Sequence, residues 1–281
     1  MSELDSRPLN SGKGHRDENF PVASWLLKRE HRAPILTFYR FARASDDIAD
    51  HADASEAEKL ARLADMKAGL SGQGAPVAMA LARAARERNL DLVHAHDLLG
   101  AFVQDVTVNR YTDWDGLIGY CRLSAMPVGR FVLDVHGEDR AVWPLSDALC
   151  AALQVINHLQ DCAKDYCELD RVYIPTDLLA ASGIGVEALA EPQASPALRQ
   201  VIAGLAERTL GLLKQSAPFA RAIRNRRLSA EVAVIHALAV DLTHGLTRRD
   251  PLSDRVHHSK ARSASLAAGA LLRHTIARGR A

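Results

Sequence analysis

Residues 34–50 read PILTFYRFARASDDIAD, and the fold turns on this stretch. Ile35, Phe38, Ala42, Ser45 and Ala49 recur at three- and four-residue spacing, the period of one helix face. Pro34 suits a first helical turn, where a missing N–H leaves no bond unmade. The spacing predicts a helix over 34–50. On it Asp46 and Asp50 lie one turn apart and project from one face, with Arg43 one turn earlier. Asp47 points about 100° away and reads as a helper or a surface residue.

The same period continues on either side. Helices are predicted over 55–71, ending at the Gly72-Gln73-Gly74 turn, and over 76–88 and 92–110. Thr112-Asp113-Trp114-Asp115 reads as an N-cap leading into a helix over about 114–135, with a kink at Pro127. Further helices are expected over 147–166, 197–215 and 229–246. Strand signals are nearly absent, and there is no internal repeat or low-complexity linker. The expectation is an all-α bundle in one domain, residues 1–281. Within it 1–16 are flexible, and 248–281 form a basic tail with a short helix near 266–276.

Hydrophobic residues make up 48% of the 281 and charged residues 25%, enough to bury a sizeable core. A formal net charge of +1 carries no nucleic-acid footprint. The four cysteines, Cys121, Cys150, Cys162 and Cys167, form no C-x-x-C pair and read as free thiols in a reducing compartment. The first twenty residues lack the apolar core of a signal peptide. No run approaches the roughly 20 apolar residues a bilayer span needs, since 232–240 is interrupted by His236. A cytoplasmic protein is expected. From Arg248 onward, eight Lys/Arg face two Asp. That tail implies attraction to an anionic, inner membrane surface, the alternative being a solvated terminal helix.

A second acidic stripe runs through Asn157, Asp161 and Asp165, at i, i+4 and i+8 on a helix otherwise rich in Ala, Leu and Ile. Carboxylates on an apolar helix are costly unless a cation satisfies them. Two such helices facing each other would line the rim of a cavity with oxygen ligands suited to magnesium, water and phosphate completing the coordination. The spacing alone decides nothing. With 22 Asp in the chain, one or two D-x-x-x-D pairs arise by chance, and a third pair, Asp250 with Asp254, looks incidental.

The flanking residues lift the first two pairs. Arg43, Asp46 and Asp50 match an Arg-x-x-Asp-x-x-x-Asp motif. Asn157, Asp161 and Asp165, followed by Arg171, Tyr173 and Pro175, match a second motif and its loop, and Tyr120, Cys121, Val128 and Gly129 match a segment between them. With these motifs the chain resembles the squalene/phytoene synthase family over about residues 17–180. The resemblance implies an isoprenoid-synthase-type helical bundle around a central cavity. It implies an isoprenoid diphosphate substrate, Mg2+ held by Asp46, Asp50, Asp161 and Asp165, and fixed positive charge from Arg43 and Arg171. Residues 18–24 (ENFPVAS) and 120–130 (YCRLSAMPVGR) resemble the hydroxysqualene synthases of bacterial hopanoid biosynthesis. That subgroup implies presqualene diphosphate as substrate, hydroxysqualene as product, and other enzymes of squalene and hopanoid synthesis as partners. Met126 stands where the subgroup commonly has Asn. Gln160 replaces a common Arg, and Asp170 replaces a Gly.

By the same resemblance Tyr120 faces the reacting centre, where it stabilises a cation or orients water; a core tyrosine is the plain alternative. Tyr173 bonds the diphosphate or packs its loop, and Asn157 ligates metal, binds substrate or orients Asp161. Phe20 caps the cavity or is a simple anchor. Gln104 and Asp105 either line the cavity or form a solvated edge, and His257 and His258, in the tail, are expected to be inert. Head-to-head condensation to presqualene diphosphate, squalene or phytoene shares the Asp motifs. A catalytically silent scaffold of the same fold has no physical need of them.

Overall fold

The computed structural model describes residues 28–279. Phe20, the 18–24 segment and residues 1–16, to which the sequence assigns roles, lie outside them. Thirteen α-helices occur among the described residues. They are α1 (Arg29–Ala49), α2 (Glu56–Leu70), α3 (Pro76–Arg88), α4 (Val93–Thr107), α5 (Trp114–Ser124), α6 (Met126–Val135) and α7 (Trp143–Gln160). There follow α8 (Cys162–Leu169), α9 (Thr176–Ala181), α10 (Pro196–Ser216), α11 (Phe219–Ala222), α12 (Arg226–Leu246) and α13 (Lys260–Gly279). The all-α expectation holds. No described helix is long and apolar enough to cross a membrane, and all four cysteines are free.

The bundle is organised around α7, which packs against α5, α6, α10 and α12. Ala148, Leu149, Ala151, Ala152, Val155 and Ile156 are all buried. A helix apolar on every side belongs in the interior. Gly129 sets its distance from α6: a Cβ there would stand 2.5 Å from both Cys150 Sγ and Ser146 Oγ.

α1 starts five residues before the expected Pro34. Pro34 lies inside it and has no N–H to offer the Glu30 carbonyl. Arg88, the last residue of α3, donates to that carbonyl at 2.6 Å and lets the helix run through. The helix expected over 114–135 is interrupted at Ala125, with Pro127 in the first turn of α6. The stretch 147–166 is likewise divided at Asp161, whose φ and ψ are −101° and 9°. The Asp161 N–H still bonds Asn157 O at 2.9 Å and Asp165 N bonds Asp161 O at 2.8 Å, so the one-turn spacing of the stripe survives.

Asp170 ends α8 in the left-handed region, φ 51°, which accounts for a Gly being common there. Its carboxylate is held by Arg110 at 2.5 Å and Asn109 at 3.2 Å. The loop beyond it docks on the α4–α5 connection. Val172 N bonds Asn109 O at 2.9 Å and Thr176 N bonds Tyr111 O at 3.0 Å.

The tail departs from expectation. Its helix runs over Lys260–Gly279 and packs on α12, with Leu266, Ala270 and Leu271 against Val234 and Leu238. Asp250 has a structural part, accepting from Ala194 N at 2.8 Å and Leu252 N at 3.0 Å. Gln160 gains a role too, its amide donating to the carbonyl of buried Val256.

Candidate active site

At the C-terminal end of α1, Arg43 bonds Asp46 at 2.7 Å and Asp47 at 3.0 Å. Asp47 is buried, so the helper role, not the surface one, describes it. Asp50 caps the helix, and Arg171 Nη1 reaches its Oδ1 at 2.6 Å. The same guanidinium donates to Ala49 O at 3.1 Å and to Asp105 O at 2.8 Å. A cation at a helix C-terminus meets the negative end of the helix dipole. Burial opposes the Arg171 charge, but Asp105 and Asp50 outweigh it and hold its pKa above the ordinary guanidinium value. Lys59 stands in the same field, its pKa lowered by burial and then by Arg171.

Asp105 is the centre of the arrangement and no solvated edge. It is 7% exposed. Tyr120 donates to one carboxylate oxygen at 3.0 Å and Tyr173 to the other at 2.8 Å. Burial raises its pKa, while Arg171 and the two phenols oppose the rise. Burial and then the Asp105 charge hold both phenols well above their usual pKa, so each remains a neutral donor. Tyr111 stacks on Tyr173 with ring centres 5.7 Å apart. His158 stacks on the same ring at 3.5 Å.

His158 carries the contacts to the second motif, its Nδ1 lying 3.9 Å from Asp165 Oδ2. Asp161 opens to solvent from a recess. Desolvation there, and then repulsion from Asp165, raise its carboxyl above the usual carboxylate range, with Lys164, His257 and His158 opposing. Burial, and then Arg255, hold the His257 pKa below the usual imidazole value. His258 bonds Asp241 at 3.0 Å. Asn157 sits half-buried one turn before Asp161. The two motifs are thus joined by a chain of contacts, Asp50 to Arg171 to Asp105 to Tyr173 to His158 to Asp165.

An apolar cavity of about 300 Å³ lies among α1, α6, α7 and α12. Phe38 and Ala42 line it from α1, and Leu149 and Leu153 from α7. Four residues beyond Ala42 is Asp46, and four beyond Leu153 is Asn157, so each apolar stripe runs on into an acidic motif along one helix face. Among the described residues Glu231 is the one carboxylate in the cavity wall. A larger groove of about 520 Å³ along Asp91, Asp134 and Arg140 is polar and open, and carries no residue of either motif.

Among the described residues, no three His, Cys, Asp or Glu gather into a group that could hold a metal ion. Magnesium keeps several waters and binds through one or two carboxylates plus substrate phosphate. The mutual repulsion of Asp161 and Asp165 is what a dication would relieve.

His158, Tyr111 and Lys59 were not singled out by spacing, and for Asp105 the sequence left a cavity wall and a solvated edge open. Asp105 and Tyr111 lie outside both motifs. His158 sits at i+1 from Asn157, off the acidic stripe, and only the fold brings its ring to Tyr173.

The family model described as squalene/phytoene synthase matches residues 14–262 of the chain. A hydroxysqualene synthase of Zymomonas mobilis subsp. mobilis is 53% identical over 270 residues, covering 95% of this chain and 91% of that protein. One from Rhodopseudomonas palustris is 55% identical over 251 residues, covering 89% and 86%. Among solved structures, a squalene synthase from Alicyclobacillus acidocaldarius superposes with a TM-score of 0.71 at 28% identity, covering 81% of this chain and 87% of that one. A dehydrosqualene synthase in complex with ligand gives 0.76 at 20% identity, with 91% of each chain covered, and speaks to fold alone.

Proposed function

Because the chain belongs to the squalene/phytoene synthase family, we propose that it converts presqualene diphosphate to hydroxysqualene and free diphosphate with magnesium. The observation that carries the product assignment is the identity of 53% and 55%, across nearly the whole chain, with two hydroxysqualene synthases. Met126, where that subgroup commonly has Asn, is buried at the start of α6. The reading therefore takes that Asn as dispensable for the product.

Asp46, Asp50, Asp161 and Asp165 are the residues that would hold magnesium. When bound it would neutralise the charge developing on the departing diphosphate. Arg43 and Arg171 add fixed positive charge at that end, Arg171 locked by its three bonds and so preorganised. The isoprenoid lies in the apolar cavity, shielded from bulk water. As the C–O bond to diphosphate breaks, the carbon framework is left cationic. Tyr120, fixed by Asp105, offers its ring face and phenol oxygen to that cation or to the incoming water. One water adds its oxygen to the cation and its proton leaves with diphosphate or solvent. Asn157 adds a substrate contact in this reading.

The test is incubation with presqualene diphosphate and magnesium, without a nicotinamide cofactor, and mass spectrometry of the extract in ordinary and 18O-labelled water. Hydroxysqualene carrying the label is expected. Absence of turnover, with farnesyl diphosphate consumed in a parallel reaction, would move the chain to the condensing branch. Inertness toward both would leave a scaffold.

A further inference from the structure

α12 lines the apolar cavity with Leu228, Glu231, Val232 and Ile235. Three of the four are aliphatic, as a stripe facing an apolar space should be. Glu231 breaks the stripe, and it is only 5% exposed. A carboxylate is costly to bury among such side chains, where a leucine would be favourable. Nothing in the ionisation of a diphosphate, which falls to the two acidic motifs, calls for it.

The reaction proposed above makes two opposed demands on this cavity. Bulk water must be kept from a carbocation, yet one water must be supplied to form an alcohol. Apolar cavities stay dry, because a water needs two or more polar partners to remain in one. The other polar side chains of the described wall are Tyr39, Ser146 and Cys150. Burial pushes the Cys150 thiol up to about 11, with the hydrogen bond from Ser146 opposing. Neutral hydroxyls and thiols can hold a water but are poor acceptors of the proton it sheds on attack. A carboxylate does both. Across the cavity Ala42 lines the same space from α1, one turn before Asp46, so Glu231 and the diphosphate end share one enclosure.

The geometry points to Glu231 as the general base of the water-capture step, a role that rests on the function proposed above. Its carboxylate accepts a hydrogen bond from one water retained in the dry cavity. The C–O bond to diphosphate breaks, and the bonding pair leaves with diphosphate. The water oxygen then forms a new C–O bond to the cation. One of its O–H bonds breaks, and that proton passes to Glu231. Glu231 returns the proton to solvent once the alcohol has left, and no oxidant or reductant is consumed. Without this base the same cation ends by losing a proton from carbon, which gives a hydrocarbon.

The experiment compares the parent 281-residue chain with Glu231→Leu and Glu231→Gln, each given presqualene diphosphate and magnesium. Released diphosphate and the ratio of hydroxysqualene to hydrocarbon are measured in the same tube. In both variants diphosphate release should stay close to the parent rate. Hydroxysqualene per diphosphate should fall by at least about 10-fold, with hydrocarbon in its place. Glu231→Gln keeps the shape and loses the base, so it decides the matter if Glu231→Leu does not fold. A parent-like ratio in either folded variant would overturn the proposal alone. So would diphosphate release and alcohol falling together at an unchanged ratio, the signature of a merely structural residue. A parent chain that forms no hydroxysqualene would overturn the function proposed above and this role with it.

Discussion

Arg171 and Asp50, 121 positions apart in the chain, meet at 2.6 Å with both side chains less than a tenth exposed. The pair joins the end of α1 to the loop after the second acidic motif. Removing one partner of a buried pair leaves an uncompensated charge, which costs about 3–5 kcal/mol. Arg171→Met is expected to lose that much in urea denaturation, together with all turnover. Arg171→Lys keeps the charge but cannot make three divergent bonds. It should retain more of the stability yet lose at least about 100-fold in kcat. Parent-like kcat in the lysine variant would remove Arg171 from the diphosphate-binding role.

Asp161 has its folded pKa raised, by desolvation and by Asp165. For such a group the stabilising contribution is full below the unfolded value, near 3.8, and disappears as pH rises through the folded one. Ionised Asp161 is therefore a burden on the metal-free protein at neutral pH. Asp161→Asn should melt no lower than the parent without magnesium, while losing activity and the upward Tm shift given by magnesium with inorganic diphosphate. A retained shift would sink the metal assignment at this residue.

Gly129 allows α6 to lie against α7. Gly129→Ala places a methyl 2.5 Å from Ser146 Oγ and Cys150 Sγ, an overpacking that costs about 1–3 kcal/mol. The cavity wall moves with it, so a rise in KM should accompany the lower Tm. In a Ser146→Ala/Cys150→Ala background the methyl has room, and the same substitution should become nearly neutral. Equal destabilisation in both backgrounds would refute the steric account.

Asp170 occupies a left-handed conformation, φ 51°, which costs a residue with a Cβ about 1–2 kcal/mol. Asp170→Gly removes that cost and also the exposed ion pair to Arg110, itself worth less than about 1 kcal/mol. The two changes nearly cancel, and an unchanged Tm is expected. Asp170→Ala keeps the strain and loses the pair, so its Tm should fall. The order of the two melting temperatures decides the matter.

Asp241 anchors α13. The hydrogen bond from Arg262, and then that from His258, hold its pKa below 3.8. A depressed carboxyl contributes stability above the unfolded value and loses it as pH falls through the folded one. Asp241→Asn should therefore be less stable than the parent at pH 7, by up to about 1 kcal/mol because the pair is partly exposed. The two denaturation curves should converge in acid below pH 3.8. A difference that persists there would show that Asp241 acts by packing and not by charge.

Helical periodicity made most of the elements legible, and 76–88 matches α3 residue for residue. It failed where one residue redirects the backbone. Pro34 reads as a start, but the Glu30 carbonyl it leaves unbonded is met by Arg88, 58 positions beyond Glu30, which no local pattern announces. Asp161 divides a helix without disturbing its one-turn spacing, so the division leaves no trace in the pattern. Within the site, the acidic residues were legible because their spacing is local. For Asp105 the sequence left a cavity wall and a solvated edge open, because what makes it a hub is two phenols reaching it from 15 and 68 residues away. The tail read as loose because its apolar face is short; α12 supplies the complementary surface.

The three bonds of Arg171 have a consequence for biogenesis. They end on Asp50 and Ala49, at the close of α1, and on Asp105 in α4, 121, 122 and 66 residues upstream. On the function proposed above, a nascent or partly folded chain that has formed its helices but not brought these segments together would lack the fixed positive charge at the diphosphate end. Contacts of such long sequence separation slow folding. The proposed ionisation of substrate would then be withheld until the surrounding walls are in place.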